Sequence, residues 1–318
     1  MIALPSKTTY YETETVDLTG LIISIDMGNY TIPMDASGCT YSPTRELVQS
    51  DTSITVTATA GGKSQTFNIP ITVTAFPSFN DASWELIART AQDGSVGDRW
   101  NIGDTKTEFG ITYCIIGMDH DNLSVSDAKY ADTSYNRNTK KAALTIQIMN
   151  PANKNSRMNL TDDNTGGWDA CYMRTHNMVE YLASMSPEIT NRIRTVDKVT
   201  SAGGYAESSS REQIITSEDK LFLLSGTEVF SYAGRRVLYI SAKENDAVTR
   251  YAYYEAGGAA FKGDDEWLRS PLKPSYDRDH EDFCCIVRED PDNINAAAAS
   301  IEFGTGGYRR CFFPAFCI

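Results

Sequence analysis

Residues 311–318 read Cys311-Phe-Phe-Pro-Ala-Phe-Cys-Ile318. So many large apolar groups in so short a stretch do not make a free tail, and the segment reads as a buried strand. Upstream, Trp267-Leu-Arg-Ser-Pro271 reads as a second piece of fixed framework. The interval between them, Leu272 to Phe312, has a different texture. It contains Ser275-Tyr-Asp-Arg-Asp-His-Glu-Asp282, Asp290-Pro-Asp-Asn293, the alanines 296–299 and Gly304-Thr-Gly-Gly-Tyr-Arg-Arg310. Polar, Gly-rich and aromatic, it is unlike a core.

The rest of the chain falls into two textures. Residues 7–75 read as short strands: Asp17-Leu-Thr-Gly-Leu-Ile-Ile-Ser-Ile25, a turn at Met27-Gly-Asn-Tyr30, Ser53-Ile-Thr-Val-Thr-Ala-Thr59, and Thr66-Phe-Asn-Ile-Pro-Ile-Thr-Val73. Gly61-Gly62 marks a hairpin, and the Thr, Val and Ile content without a helical segment suggests a β-sandwich. Phe76-Pro-Ser-Phe-Asn80 is a proline-containing linker. Beyond it, Ser83 caps an expected helix through Ala91, whose apolar positions 84, 86, 87 and 91 approximate helical spacing. Phe109 to Gly117 and Thr139 to Met149 read as strands, Thr175 to Met185 as a helix, and Lys220 to Ser225 as a short buried strand.

Composition narrows the function classes. The net charge of −13 argues against nucleic acid, because a phosphate backbone demands a basic stripe. No apolar run has the length of a membrane span, and the first residues lack a basic region followed by an apolar one, so no signal peptide is expected. The 7 cysteines include no Cys-x-x-Cys pair, so neither a zinc site nor a disulfide framework is signalled, and they read as reduced and mostly buried.

Two resemblances follow from these residues. The stretch Thr9-Tyr-Tyr-Glu-Thr-Glu-Thr-Val-Asp-Leu-Thr-Gly-Leu21, with the Gly-Gly hairpin and the closing Ile-Pro-Ile-Thr-Val, resembles the bacterial Ig-like domains of surface and phage tail proteins. It implies a spacer or attachment module over residues 1–75. From about residue 80 onward, an ordered set of signposts is similar to a domain family of gut bacteria and phages related to the C-type lectin fold. They are Trp100-Asn-Ile-Gly-Asp, Tyr113-Cys-Ile-Ile-Gly, Gly166-Gly-Trp168, Met173-Arg174, Val196-Asp-Lys-Val-Thr-Ser201, Leu221-Phe-Leu-Leu-Ser225, Trp267-Leu-Arg-Ser-Pro271 and Pro314-Ala-Phe-Cys-Ile318. That fold resembles the variable proteins of diversity-generating retroelements, whose variable residues lie between a Trp-containing strand and the terminal strand. The expected architecture is therefore α+β. An all-β Ig-like sandwich (1–75) and a linker (76–80) precede a C-type-lectin-like domain, of the formylglycine-generating-enzyme type, over 81–318.

The resemblance implies a non-catalytic receptor-binding protein whose late interval displays the binding surface. Its candidate residues are Tyr276, Asp277, Arg278, His280, Asp282, Arg288, Asp290, Asn293, Asn295, Tyr308 and Arg309, aromatic and charged anchors of the kind found at binding hot spots. The expected partner is a host-cell surface protein or glycan, with no nucleic acid and no membrane insertion, and with assembly into a virion or tail through the Ig-like module. The expected location is a phage tail or a bacterial surface. The bland alternative for the interval is a solvated loop, which would make the chain a structural virion decoration protein. An enzyme on the same fold is the remaining rival.

Chemistry has little to stand on in the sequence. Met118-Asp-His-Asp-Asn122 offers an imidazole and carboxylates, but adjacent residues rarely converge on one centre, and His120 reads as part of a polar turn. His176 opens a helix and reads as a capping or packing residue. With 3 histidines and no Gly-x-Ser-x-Gly, a hydrolase triad is not indicated. The Glu-Pro-Asn or Gln-Pro-Asp tripeptide of calcium-dependent lectins is missing, and Cys284-Cys285, adjacent on a strand, would point to opposite faces and could not cooperate as the paired cysteines of formylglycine-generating enzymes do. No cofactor, metal or catalytic residue is expected. Of the tryptophans, Trp84, Trp100 and Trp267 read as core, and Trp168, beside Gly166-Gly167, is left open as a carbohydrate platform.

Overall fold

The computed structural model describes residues 3–26, 28, 30–152, 156–160, 164–203, 213–230, 240–259, 266–271, 282–286, 296–300 and 310–318. The chain divides at the expected linker into two units, Met1–Pro77 and Ser78–Ile318.

In the first unit the elements are β1 (Thr9–Tyr11), β2 (Ile22–Asp26), β3 (Thr31–Asp35), β4 (Cys39–Ser42), β5 (Ser53–Ala60), β6 (Lys63–Pro70) and β7 (Thr72–Thr74). The period-2 pattern of β5 works as the sequence suggests. Ile54, Val56 and Ala58 are buried, while Thr55, Thr57 and Thr59 pair across to Asn68, Thr66 and Ser64 on the outer face. Gly61 and Gly62 both take positive φ, 58° and 77°, as a two-residue hairpin turn requires. β4, β5 and β6 form one antiparallel sheet, β2 pairs with β3, and β1 pairs parallel with β7. Tyr10, Leu21, Ile23, Leu47, Ile54, Val56 and Ile69 build the core. The Tyr10 hydroxyl donates to the carbonyls of Lys7 and Asp17, which keeps a buried phenol satisfied.

The second unit mixes helix and sheet, as the α+β expectation requires. Its strands are β8 (Thr105–Glu108), β9 (Ile111–Met118), β10 (Leu144–Ile148), β11 (Val196–Ser201), β12 (Ile214–Asp219), β13 (Leu221–Phe222), β14 (Glu266–Pro271), β15 (Asp282–Ile286), β16 (Ala296–Ser300) and β17 (Ala315–Cys317). The helices are α1 (Trp84–Asp93), α2 (Gly167–Ala170), α3 (Met178–Ser184), α4 (Pro187–Thr190), α5 (Gly226–Val229), α6 (Ala242–Ala247) and α7 (Ala252–Glu255). The central sheet runs β13-β17-β10-β9-β8, antiparallel throughout. The apolar segment 311–318 is buried at every residue, and its strand β17 sits between β13 and β10. Ser83 caps α1 by accepting from Leu86 N, and Gly94 ends it at φ 68°, where a Cβ would lie 2.8 Å from Arg137 Cγ.

Three expectations need correction. Phe109 is not in a buried strand: it sits at the tip of the β8–β9 hairpin, 93% exposed, with Phe109 and Gly110 at φ 51° and 78°. Gly110 supplies a two-residue turn that the apolar run had hidden. The strand expected over 139–149 begins only at Leu144. Residues 136–138 take left-handed φ of 43°, 53° and 61°, and the Asn136 amide holds this turn by donating to Asp119 Oδ1, Thr139 Oγ1 and Lys141 O. Finally, the helix expected from Thr175 opens as a π-helical turn over Met173–Asn177 and becomes α-helical at Met178.

Candidate functional site

The strand expected to be framework, β14, is buried along its whole length even though it carries Glu266, Arg269 and Ser270. A buried guanidinium is tolerable only if paired and hydrogen-bonded. Arg269 donates through both terminal nitrogens to Glu228, with Nη2 2.8 Å from Oε1, and Nη1 also donates to Leu223 O at 2.8 Å. Glu228 is held by a capping box: Ser225 Oγ accepts from Glu228 N, and the Glu228 carboxylate accepts from Ser225 N at 2.9 Å. Next to it Ser270 donates to Glu244, which also accepts from Ser201 N at 2.8 Å.

From Glu228 the network continues inward. Lys198 Nζ, on β11, lies 2.8 Å from Glu228 Oε1 and 2.6 Å from Asp121 Oδ1. Asp121 accepts further from Tyr251 OH at 2.9 Å, Thr145 Oγ1 at 2.5 Å and Cys317 Sγ at 3.5 Å. Two cations and two carboxylates thus balance inside the domain. Burial opposes the charge on Glu228, but Arg269 and Lys198 outweigh it and hold the carboxyl down at about 2. Burial likewise opposes the charge on Asp121, and Lys198 and His120 outweigh it and hold the group well below the usual range. Glu244, to which no cation bonds among the described residues, is pushed up by burial, against the hydrogen bonds from Ser270 and Ser201. The network straps β14 to β11, α5, α6 and the loop after β9.

β14 pairs with β15 and β15 with β16, both antiparallel. Pro271 lies opposite Phe283 and Asp282 opposite Ser300, so these ends share one edge of the sheet. At the other edge Glu266 lies opposite Ile286, Ile286 opposite Ala296, and Cys311 bridges to Glu266. Arg310, buried, stands over the Trp267 ring at 5.6 Å, and the Trp267 indole donates to Ser156 O at 2.8 Å. The interval read from sequence as Leu272 to Phe312 is therefore shorter at its end, because 310–312 belong to the buried framework.

Of the expected site residues, Asp282 opens β15. Tyr276, Asp277, Arg278, His280, Arg288, Asp290, Asn293, Asn295, Tyr308 and Arg309 lie outside the described residues. Their attachment points are described. The stretch with Tyr276 and His280 joins the sheet at Pro271 and Asp282. Tyr308 and Arg309 immediately precede Arg310, at the Glu266 edge. At about 3.3 Å per residue these edges are roughly 16 Å apart along β14.

The other residues weighed from sequence resolve one by one. Asp119 turns away to Asn136, whereas His120 and Asp121 meet at Tyr251: the imidazole lies against its ring at 3.9 Å, Asp121 accepts from its hydroxyl and pairs with Lys198, and His120 Nδ1 is 3.6 Å from Asp121 Oδ1. His176 is exposed and stacks on Tyr172 at 4.2 Å. Trp168 is no platform: it is fully buried, donating to Asp219, which Arg174 and Ser217 also bind. Cys114, Cys171, Cys311 and Cys317 are buried, and Cys39 is half-buried. Among the described residues no group of three or more His, Cys, Asp or Glu could hold a metal ion, and no helix is long and apolar enough to cross a membrane.

No curated protein matches the chain, and no solved structure does. A family model does match, over residues 138–318, from the left-handed turn through all of β10–β17. That stretch is more than half of the chain and contains every strand around the ionic network, so the chain belongs to the family described as a domain of unknown function (DUF6273).

Proposed function

We propose that this chain is a non-catalytic receptor-binding protein, with an Ig-like attachment module followed by a C-type-lectin-like domain that displays its ligand surface from the connections of the β14–β16 sheet. The observation that carries the reading is the contrast along one short stretch. Glu266–Pro271 and residues 310–318 are buried throughout and tied by ion pairs and sheet bonds, whereas the stretches holding the candidate residues leave from the ends of those fixed strands. A surface hung on a rigid frame can be rewritten with little cost to folding, which suits recognition of a host-cell protein or glycan from a phage tail or a bacterial surface.

Binding of purified protein to host cells tests the reading. Tyr276→Ala and Tyr308→Ala should each weaken binding by ~1–2 kcal/mol or more, as truncated interface anchors do, with the melting temperature almost unchanged. Unaltered binding in both variants would leave the interval as a solvated connection and the chain as a structural component.

A further inference from the structure

An ammonium, a carboxylate and a second carboxylate lie within hydrogen-bond reach of one another in a dry interior. Lys198, Asp121 and Glu228 are 2%, 4% and 1% exposed. Lys198 Nζ rests on the face of Phe222, 4.1 Å from the ring centroid, and beside Tyr251, which with Phe222 walls the group off from solvent. Asp121 is approached on both oxygens. Oδ1 faces Lys198 Nζ at 2.6 Å, with Tyr251 OH at 3.1 Å and His120 Nδ1 at 3.6 Å, while Oδ2 accepts from Tyr251, Thr145 and Cys317. Three donors on one oxygen and an amine against the other are the arrangement that acyl transfer uses: the donors stabilise an oxyanion while a nucleophile attacks the carbon one bond beyond.

We propose that Lys198 and Asp121 condense to an intramolecular amide between Nζ and Cγ, with Glu228 as the proton carrier. The step balances from the ion pair. Nζ gives one proton to Asp121 Oδ1, 2.6 Å away, so that a neutral amine faces a neutral carboxylic acid, and its freed lone pair attacks Cγ. The tetrahedral oxyanion forms on Oδ2, among its three donors. Nζ then passes a second proton through Glu228 Oε1, 2.8 Å away, to Oδ1, which leaves as water with both protons. The amide keeps the third hydrogen on nitrogen, and Glu228 ends as the carboxylate it began as. No oxidant, metal or co-reactant is needed.

Two physical effects drive it. Fixed proximity replaces a bimolecular encounter, with effective molarities for well-oriented groups of roughly 10⁵–10⁸ M. The interior also gains by losing two buried charges. The amide's own polar atoms keep partners. The amide N–H faces Glu228 Oε1, the amide oxygen keeps Tyr251, Thr145 and Cys317, and Arg269 with Glu228 remains as a balanced bidentate pair. The bond would tie the loop after β9 to β11 covalently, across the ionic network that straps β14.

The intact mass of the purified full chain decides the matter, together with its tryptic peptides. The expected result is a mass lower than the sequence by one water, and a branched peptide that joins the segments containing Asp121 and Lys198. Lys198→Arg, which keeps the charge but cannot form the bond, should restore the full sequence mass and separate the peptides. Dehydration at an aspartate elsewhere, Asp93-Gly94 above all, would give the same mass loss but leave the two segments separate and persist in Lys198→Arg, and that outcome overturns the proposal. A wild-type mass equal to the sequence, with both peptides recovered unlinked, also overturns it.

Discussion

The indole of Trp84, in the first helix of the second unit, packs against the ring of Phe316, in its last strand, with centroids 6.2 Å apart. Tyr113 of β9 joins both rings edge-on, at 5.0 Å from Trp84 and 6.2 Å from Phe316. Two of these three side chains precede the family match at residue 138, yet they cover the strand with which it ends.

A fragment beginning at residue 138 should therefore fail to fold. It lacks α1, β8 and β9, leaving β10 with an open edge and Phe316 without its aromatic neighbours. A fragment beginning at Ser78 should unfold in a single cooperative transition, as a unit with its own core does. Thermal melts followed by circular dichroism compare the two, and a sharp transition in the shorter fragment would contradict the argument.

Trp267→Ala and Phe316→Ala should each cost about 3–5 kcal/mol of stability, the range for large aromatics truncated in cores. Trp267 is 2% exposed and Phe316 fully buried, and the tryptophan also loses its bond to Ser156 O. Urea titrations of the 78–318 fragment measure both, and a loss under 1 kcal/mol would place these rings outside the working core.

Phe109 holds a backbone conformation that favours Asn or Gly, and Gly110 follows it in the turn. Phe109→Asn creates the preferred Asn-Gly hairpin sequence and removes an exposed ring, so it should stabilise the second unit by about 0.5–1 kcal/mol. The tip is already braced, with Asn150 Oδ1 accepting from Thr112 N and the Asn150 amide donating to Gly110 O. A loss of stability in this variant would mean that the Phe109 ring packs on something in the native protein.

The buried acids should respond to pH in opposite senses. Burial raises the Glu244 pKa in the folded state, so its contribution is fully present below the ordinary Glu value near 4.3 and is lost as pH rises through the folded value. Measured against Glu244→Gln, the wild type should thus gain relative stability as pH falls from 7 toward 4. Glu228, held at about 2, contributes stability above the ordinary Glu value that disappears as pH falls toward 2. Stability curves at several pH values for wild type, Glu244→Gln and Glu228→Gln separate the two signs.

Much of the scaffold was legible because it rests on local signals. The Gly61-Gly62 turn, the alternation of Ser53–Ala60, the Ser83 cap and the buried end at 311–318 are each written in a few adjacent residues. The ionic network was not read, because it joins Asp121, Lys198, Glu228 and Arg269 from four separate stretches. Its traces were present: a Lys in phase with Val196 and Thr200 in a strand-like stretch, an Arg in Trp267-Leu-Arg-Ser-Pro271, and Ser225-Gly-Thr-Glu228 with capping-box spacing. Phe109 misled because a hairpin turn can hide inside an apolar run when one glycine supplies it. Trp168 misled because the neighbouring glycines suggested an open loop. They serve close packing instead, since a Cβ on Gly167 would meet Ser201 O at 2.1 Å.

β17 lies inside its sheet, between β13 and β10, not along an edge. Until residues 315–317 have been translated, the central sheet is two pieces with facing open edges, and the unit cannot close during synthesis. Any shift of reading frame in the three polar stretches before it erases that strand. What closes the sheet is therefore an interior strand made last, not a dispensable tail.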